Sequence, residues 1–310
     1  METHFHEWQK SLQLIQQKSE ELQREQIQLK SFERELRIIN KWFYYGLHYE
    51  QKLQLARHPK RPTSLDYIEG MSQDWIELHG DRKGSDDQAL ITGIAQVEDE
   101  TIVFLAHQKG RNTKENLQRN FGMPSPGGYR KALRIMNHAN KFGLPLVTLI
   151  DTPGAWAGVE AEKEGQAHAI ATCLQTMFSL EVPMISVIIG EGGSGGALAI
   201  GVSNWMMMLE HAVYTVATPE ACAAILWKDA SKSAEAAEAL KIGAEDLLAL
   251  GVIDEIIPEP IGCAHQDAAS MTKRLKQKIL RRLKQLKILS GKQLRAHRAE
   301  RFRHLGYYVE

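Results

Sequence analysis

Two uninterrupted apolar runs constrain this chain more than any other feature: Leu144–Ile150 (LPLVTLI) and Val182–Ile189 (VPMISVII). A strand with one wet face alternates apolar and polar residues. A strand apolar throughout needs cover on both faces, as in a parallel sheet flanked by helices. Each run leads directly into a turn of small residues. Asp151-Thr-Pro-Gly-Ala-Trp-Ala-Gly158 follows the first and Gly190-Glu-Gly-Gly-Ser-Gly-Gly196 the second. Around them the pattern predicts a hairpin of 89–97 and 101–107 about Asp99-Glu100, and helices over 129–142, 161–179, from Gly196 onward and over 234–250. It also predicts a strand over 206–216. The alternation of strands and helices defines an α/β core.

The two ends read differently. From about Glu7 to Gln54 there is no proline and Gly46 is the sole glycine, while Leu12, Ile15, Leu22, Leu29 and Leu36 recur at roughly helical spacing. This predicts an amphipathic helical arm over 1–56, ended by Pro59 and Pro62. The core domain spans 57–262. A basic helical segment follows over 263–310, with Leu275, Ile279, Leu283 and Leu286 on one face and Gly291 as a break. Between Thr272 and His304 Glu300 is the sole acid, yet the basic residues surround an apolar stripe suited to packing, so a solvated face is the simpler reading.

Composition narrows the function classes. Lys and Arg together number 38, as do Asp and Glu, so no global field points to nucleic acid. Cys173, Cys222 and Cys263 are scattered in no metal-ligand spacing, which predicts a reducing compartment and no metal site. The N-terminus shows no signal or transit character, and no apolar run reaches the ~20 residues of a membrane span.

The glycine turn admits three chemistries. Strand, glycines, then helix gathers backbone N–H groups and the positive end of a helix dipole at one point. Gly190, Gly192 and Gly195 match the dinucleotide pattern G-x-G-x-x-G, with Glu210 about 20 residues on. Gly192-Gly-Ser194-Gly-Gly196 also matches the nucleophile pattern G-x-S-x-G, with Asp254 and His265 following in hydrolase order. Five glycines in seven residues make both matches easy to reach by accident. In the third reading the amides themselves are the equipment, an oxyanion-binding turn that needs no catalytic side chain. Here glycine serves to permit positive φ and close approach of a ligand.

Longer motifs carry a family resemblance. Asp151-Thr-Pro-Gly154 and Gly190–Ala199 resemble the carboxyltransferase α subunits of multisubunit acetyl-CoA carboxylases. So do Ala56-Arg-His-Pro-Lys-Arg-Pro62, His79-Gly-Asp-Arg82, His107-Gln-Lys-Gly-Arg111, Asn120-Phe-Gly-Met-Pro-Ser-Pro-Gly-Gly-Tyr-Arg-Lys131, Thr218–Lys228 and Ile256–Pro260, in the right order from about Ala56 to His265. The resemblance implies a crotonase-like fold of repeated β-β-α units in a superhelix, with N- and C-terminal helical extensions. It implies transfer of the carboxyl group of carboxybiotin to acetyl-CoA, giving malonyl-CoA for fatty acid synthesis. The biotin rides on a biotin carboxyl carrier protein charged by biotin carboxylase. The site would lie between this chain and a homologous β subunit in an α₂β₂ assembly, in the cytoplasm or the plastid stroma. A zinc module belongs to that β subunit.

The implied chemistry accounts for the lack of a convincing acid, base or nucleophile. Negative charge develops on the biotin ureido oxygen as CO₂ leaves, so the enzyme has mainly to stabilise oxyanions and exclude water. The expected catalytic donors are the backbones of Gly195, Gly196 and Ala197. The biotin pocket is expected to involve Gly154, Ala155, Trp156, Gly192 and Gly193, with Arg130 and Lys131 meeting an anion. Trp156 departs from the tyrosine of many relatives, which keeps an aromatic wall and removes a hydroxyl. A serine hydrolase using Ser194 and a non-catalytic assembly subunit are the alternatives.

Overall fold

A computed structural model describes residues 47–306, with isolated helical positions between 10 and 39 and none beyond 306. Most of the expected N-terminal arm, including Leu12, Leu22, Leu29 and Leu36, lies outside the described residues. The described chain begins with α1 (Tyr49–Ala56) and α2 (Ser64–Met71). A short strand β1 (Asp74–Glu77) leads to the predicted hairpin of β2 (Leu90–Val97) and β3 (Glu100–His107). After α3 (Thr113–Gln118) the units alternate: α4 (Pro126–Phe142), β4 (Leu146–Thr152), α5 (Val159–Lys163), α6 (Gln166–Ser179), β5 (Met184–Gly193) and α7 (Ser194–Leu198). Then come β6 (Trp205–Leu209), β7 (Val213–Thr215), α8 (Pro219–Trp227), α9 (Ser233–Leu240), α10 (Ala244–Ala249), β8 (Glu255–Ile257), α11 (Ala268–Leu286) and α12 (Gly291–Arg303).

One sheet joins the strands in the order β1-β2-β3-β4-β5-β6-β8, with β7 beside the far end of β5. The hairpin β2–β3 and its neighbour β1 are antiparallel, and everything from β3 onward is parallel. Every residue of β4 and β5 is buried, as two apolar runs in the centre of a covered sheet require. This near-sequential order is not the 3-2-1-4-5-6 order of a dinucleotide-binding fold.

Four expected elements differ in extent, each for a local reason. The helix expected over 161–179 is split at Gly165 (φ 81°), a left-handed position that glycine occupies freely. The strand expected over 206–216 becomes β6 and β7. The chain bends between them, with the Ala212 N–H on Leu209 O (3.0 Å) and the His211 N–H on the Glu259 carboxylate (3.0 Å). The helix expected over 234–250 breaks at Lys241 (φ 50°) so that Ile242 can be buried against Leu53, Ala56 and Val213, and its carbonyl accepts the Tyr214 N–H (3.0 Å). Gly291 opens α12, and the break precedes it.

The C-terminal helices share the main core. Leu275, Ile279, Leu283 and Leu286 of α11 and Leu294 of α12 are buried in one cluster with the sheet residues. The basic residues of α11 lie outside this stripe, where Lys278 and Arg282 grip Glu255 (2.6 and 3.1 Å) and Lys276 meets Glu98 (3.1 Å).

Ile279→Ala should therefore lower unfolding stability by about 2–4 kcal/mol, since a fully buried side chain is lost and a cavity left. Lys284→Ala, on the exposed face, should stay within about 0.5 kcal/mol. Urea denaturation of the full chain measures both.

Candidate active site

β4 and β5 run parallel and end together, so their two turns meet. The register shifts between Ile150 and Thr152, where Asp151 stands opposite three residues of β5, Ile189, Gly190 and Glu191. Beyond it Gly193 and Gly196 of the second turn lie against Pro153–Ala155 of the first. A Cβ at Gly193 would sit 2.0 Å from Pro153 O, and one at Gly196 would sit 2.5 Å from Gly154 C and Ala155 N. Gly190 meets the Asp151 carboxylate in the same way (2.5 Å) and Gly192 the Tyr214 ring (2.7 Å). Gly195 is different, because nothing lies nearer to its Cβ position than Ile170 at 3.9 Å. It is the glycine of this turn with room in front of it.

This corrects the reason for the glycines. None of those between 190 and 196 has positive φ; the left-handed residue is Ser194 (φ 48°). The glycines are required by contact of backbone with backbone, while the strain falls on the one residue with a side chain. That geometry exposes Ser194, but no nucleophilic triad surrounds it. Asp254 spends its carboxylate on Arg301 (2.9 Å) and the Met206 N–H (2.7 Å), and His265 stacks on His58 with ring centroids 3.9 Å apart. Among the described residues no hydrogen bond joins Ser194, Asp254 and His265. Glu210, the acid of the dinucleotide pattern, accepts the Glu259 N–H (2.9 Å) within a structural knot.

Beside the turns lies a charge network, its two acids buried, that motif reading missed. The Asp151 carboxylate accepts the Glu191 N–H (2.9 Å) and the Lys109 ammonium (2.6 Å). Glu191 in turn receives both arms of the Arg57 guanidinium (3.0 and 2.5 Å) and lies 3.7 Å from Lys109. One legible signal existed: Glu191 and Asp151 are acids abutting apolar runs, and buried acids need cations. A second ion pair fastens the strand below. Arg61 donates to the carbonyl of Ile189 (2.8 Å) and to both oxygens of Glu259 (3.1 and 2.5 Å), all buried. Burial alone would raise the Glu259 carboxyl, but the Arg61 and His211 charges and its hydrogen bonds outweigh this and hold it at about 2.

The expected site residues divide into two groups. Gly154, Ala155, Gly192, Gly193, Gly195, Gly196 and Ala197 come together at the paired turns. Trp156 stands beside them, 38% exposed, with its N–H on Pro124 O (3.0 Å) and its carbonyl held by Gln166 (2.9 Å). Arg130 and Lys131 belong to the start of α4 and are engaged within the protein. Arg130 binds Asp81 (2.7 Å), and the buried Lys131 binds Asp86 (2.5 Å) and the Asp87 carbonyl (2.9 Å). Asp87 also accepts the Ser125 N–H and hydroxyl (2.5 and 2.7 Å), fixing where α4 begins. Two further arginines of the shared motif region are also engaged: Arg111 pairs with Asp66 and Arg119 donates to the Gln88 carbonyl (2.8 Å).

Fold and paired turns define the class. The chain resembles solved chains of a transcarboxylase and of a malonate decarboxylase, both of crotonase-like fold. The transcarboxylase 12S core aligns over 70% of this chain and 43% of that one (TM-score 0.56, 21% identity). A chain of the Pseudomonas malonate decarboxylase hetero-tetramer, solved with coenzyme A, aligns over 78% and 95% (TM-score 0.62, 17% identity). The fold is therefore crotonase-like, as the motifs implied. Residues 1–306 match the family described as acetyl co-enzyme A carboxylase carboxyltransferase-like. The acetyl-coenzyme A carboxylase carboxyl transferase subunit alpha of Cyanidium caldarium is 61% identical over 278 residues, 90% of this chain and 86% of that one. That of Thermosynechococcus vestitus is 60% identical over 260 residues, 84% and 80% respectively. The chain belongs to the acetyl-CoA carboxylase carboxyltransferase α-subunit family.

Two outcomes follow from this geometry. Glu259→Gln should cost about 3–5 kcal/mol at pH 7, because it strands the Arg61 charge in the interior. The wild-type carboxylate contributes fully above its unfolded value of 4.5 and loses that contribution as pH falls toward about 2. The gap between wild type and variant should thus narrow between pH 4.5 and 3, measured by urea denaturation. Ser194→Gly should raise stability by up to about 1 kcal/mol by removing the left-handed strain; a destabilised variant would show that the Ser194 side chain supports the turn.

Proposed function

We propose that this chain forms the biotin-facing half of the carboxyltransferase site of acetyl-CoA carboxylase, in which a carboxyl group passes from carboxybiotin to acetyl-CoA to give malonyl-CoA. The observation that carries this reading is the opening in front of Gly195, in a turn whose other glycines are filled by contact, with Gly154 of the facing turn also open. The first amides of a helix have no intrahelical acceptor, so the start of α7 offers donors there. Such donors suit an oxygen that gains charge during reaction, and they need no reorganisation to act.

The residues present fit the ureido ring of biotin. That ring is flat and uncharged, with a carbonyl oxygen between two nitrogens, and the paired turns provide a glycine face and amides, with the partly exposed Trp156 next to them in the chain. When bound, carboxybiotin supplies the carboxyl group to be transferred. The chain's own part is to receive a negative oxygen at the backbone of Gly195, Gly196 and Ala197, with Gly154, Ala155, Gly192 and Gly193 shaping the wall. Trp156 gives an apolar face that excludes water. In this reading Arg130 and Lys131 act indirectly, holding the 81–87 loop against α4.

The thioester side of the site is assigned to a β subunit, in an α₂β₂ assembly served by the biotin carboxyl carrier protein and biotin carboxylase. That the relatives are alpha subunits supports a heteromer, and so do Trp156, Val159 and Leu198, which stay exposed beside the turns. Cytoplasm or plastid stroma is the compartment that suits these relatives. No helix among the described residues is long and apolar enough to cross a membrane.

Gly195→Ala and Gly196→Ala separate function from packing. Gly195→Ala has room and should fold with unchanged stability, while malonyl-CoA-dependent carboxylation of free biotin by the α–β complex should fall about ten- to hundredfold. Gly196→Ala should lose stability as well, because its Cβ collides with the first turn. Full activity in Gly195→Ala would remove the oxyanion reading. Activity of the chain without a β partner, abolished by Ser194→Ala, would favour the hydrolase instead.

A further inference from the structure

His107 ends β3 and lies wholly buried. Its backbone is fixed on two sides, paired with Leu90 in the hairpin and accepting the Ser64 hydroxyl at its carbonyl (2.6 Å). Its ring is less settled. Both ring nitrogens are buried and neither closes a hydrogen bond within ordinary limits. A buried imidazole without partners costs free energy, so its surroundings carry information. Among the described residues the backbone group directed at the ring is that of Gly196, and this contact favours the protonated ring. A donor aimed at a ring nitrogen would disfavour protonation. The group is therefore the Gly196 carbonyl, accepting from a ring N–H.

Gly196 is where such a donor is needed. α7 is only five residues long, and beyond it the backbone tightens. Ala199 N–H reaches Gly195 O (3.0 Å), but Ile200 N–H turns to Ala197 O (3.4 Å) instead of to Gly196 O. The Gly196 carbonyl thereby loses the amide that a longer helix would give it. The same peptide unit carries the Ala197 N–H, so whatever holds this carbonyl also sets the plane of that amide.

We propose that His107 is the positioning residue of the glycine turn: its ring N–H donates to the Gly196 carbonyl, replaces the missing helical amide and fixes the Gly196–Ala197 peptide at the start of α7. This rests on the reading that the turn receives an oxyanion. The ring stays neutral, since burial and then the Lys109 charge push its pKa down to about 3. It can therefore donate without adding a charge beneath the site. Hydrogen bonds that serve a reaction are often long in the free protein and tighten in the complex, which suits ring nitrogens that close no bond here.

Three substitutions test this in the full chain paired with its β partner. His107→Leu removes the donor at similar volume, while His107→Gln and His107→Asn keep a neutral N–H donor at different reach. The expected result is a fall in kcat of about ten- to hundredfold in His107→Leu with KM unchanged, recovered in substantial part by whichever amide reaches Gly196. Glycine labelled with ¹³C at the carbonyl gives a second readout, independent of activity: the Gly196 carbonyl resonance should move upfield in His107→Leu and return in the rescuing variant. Thermal melts identify any variant that fails to fold, and the carbonyl shift in the remaining ones still decides. An unmoved Gly196 resonance in a folded His107→Leu overturns the inference, as does an unchanged kcat. If Gly195→Ala is fully active, the oxyanion reading itself has failed. If Gly195→Ala is impaired and His107→Leu is not, only the role of His107 has.

Discussion

The candidate site depends on two backbones lying directly against each other. Pro153–Ala155 occupy the space where Gly193 and Gly196 would otherwise carry side chains. Such contact is possible only because β4 and β5 are adjacent, parallel and end at the same level. It must also be held, since two glycine-rich turns lose much conformational entropy on ordering. The Asp151 carboxylate does the holding. Placed at the end of β4 opposite the irregular stretch of β5, it binds the amide of Glu191 on β5 and the ammonium of Lys109 beyond β3, so one side chain links the ends of three strands.

The sheet was legible from the sequence because burial on both faces leaves a simple mark. Leu146–Ile150 and Met184–Ile189 are apolar almost without interruption, and β3 is likewise buried without a break from Ile102 to His107. Breaks within elements were less legible. Nothing local in an alanine-rich stretch announces that Ile242 must turn inward, because the demand comes from Leu53 and Val213, distant in sequence. The same holds for the bend between β6 and β7, whose amide at His211 is claimed by Glu259 nearly fifty residues later.

For the site, the motifs located the turns and misjudged their physics. Glycine signals both positive φ and close approach, and composition does not separate the two. Here close approach governs and Ser194 carries the left-handed backbone. The charge network stayed hidden for another reason. Arg57, Lys109, Asp151 and Glu191 come from four separate segments, and only the topology makes them neighbours. His107 reads as one more polar residue at a strand end until α7 is seen to stop short above it.

These features together explain how a site of this kind can do without an acid or base of its own. The floor holds two cations and two anions, each paired with the others: Arg57 with Glu191, and Lys109 with Asp151 and Glu191. Paired charges present little net field at the mouth, whereas an unpaired lysine there would bind any anion strongly in the ground state. Binding that is equally strong before and at the transition state does not raise kcat. Amides fixed at the start of α7 respond differently. They are neutral, and in the function proposed above they would meet a neutral ureido oxygen weakly and bind it more tightly as charge develops on it. A glycine turn over a neutralised floor therefore directs its stabilisation to the transition state, provided that its peptide planes do not move. The constraint falls on positioning, which in this chain is met by close-packed backbone, by Asp151 and, in our proposal, by the ring of His107.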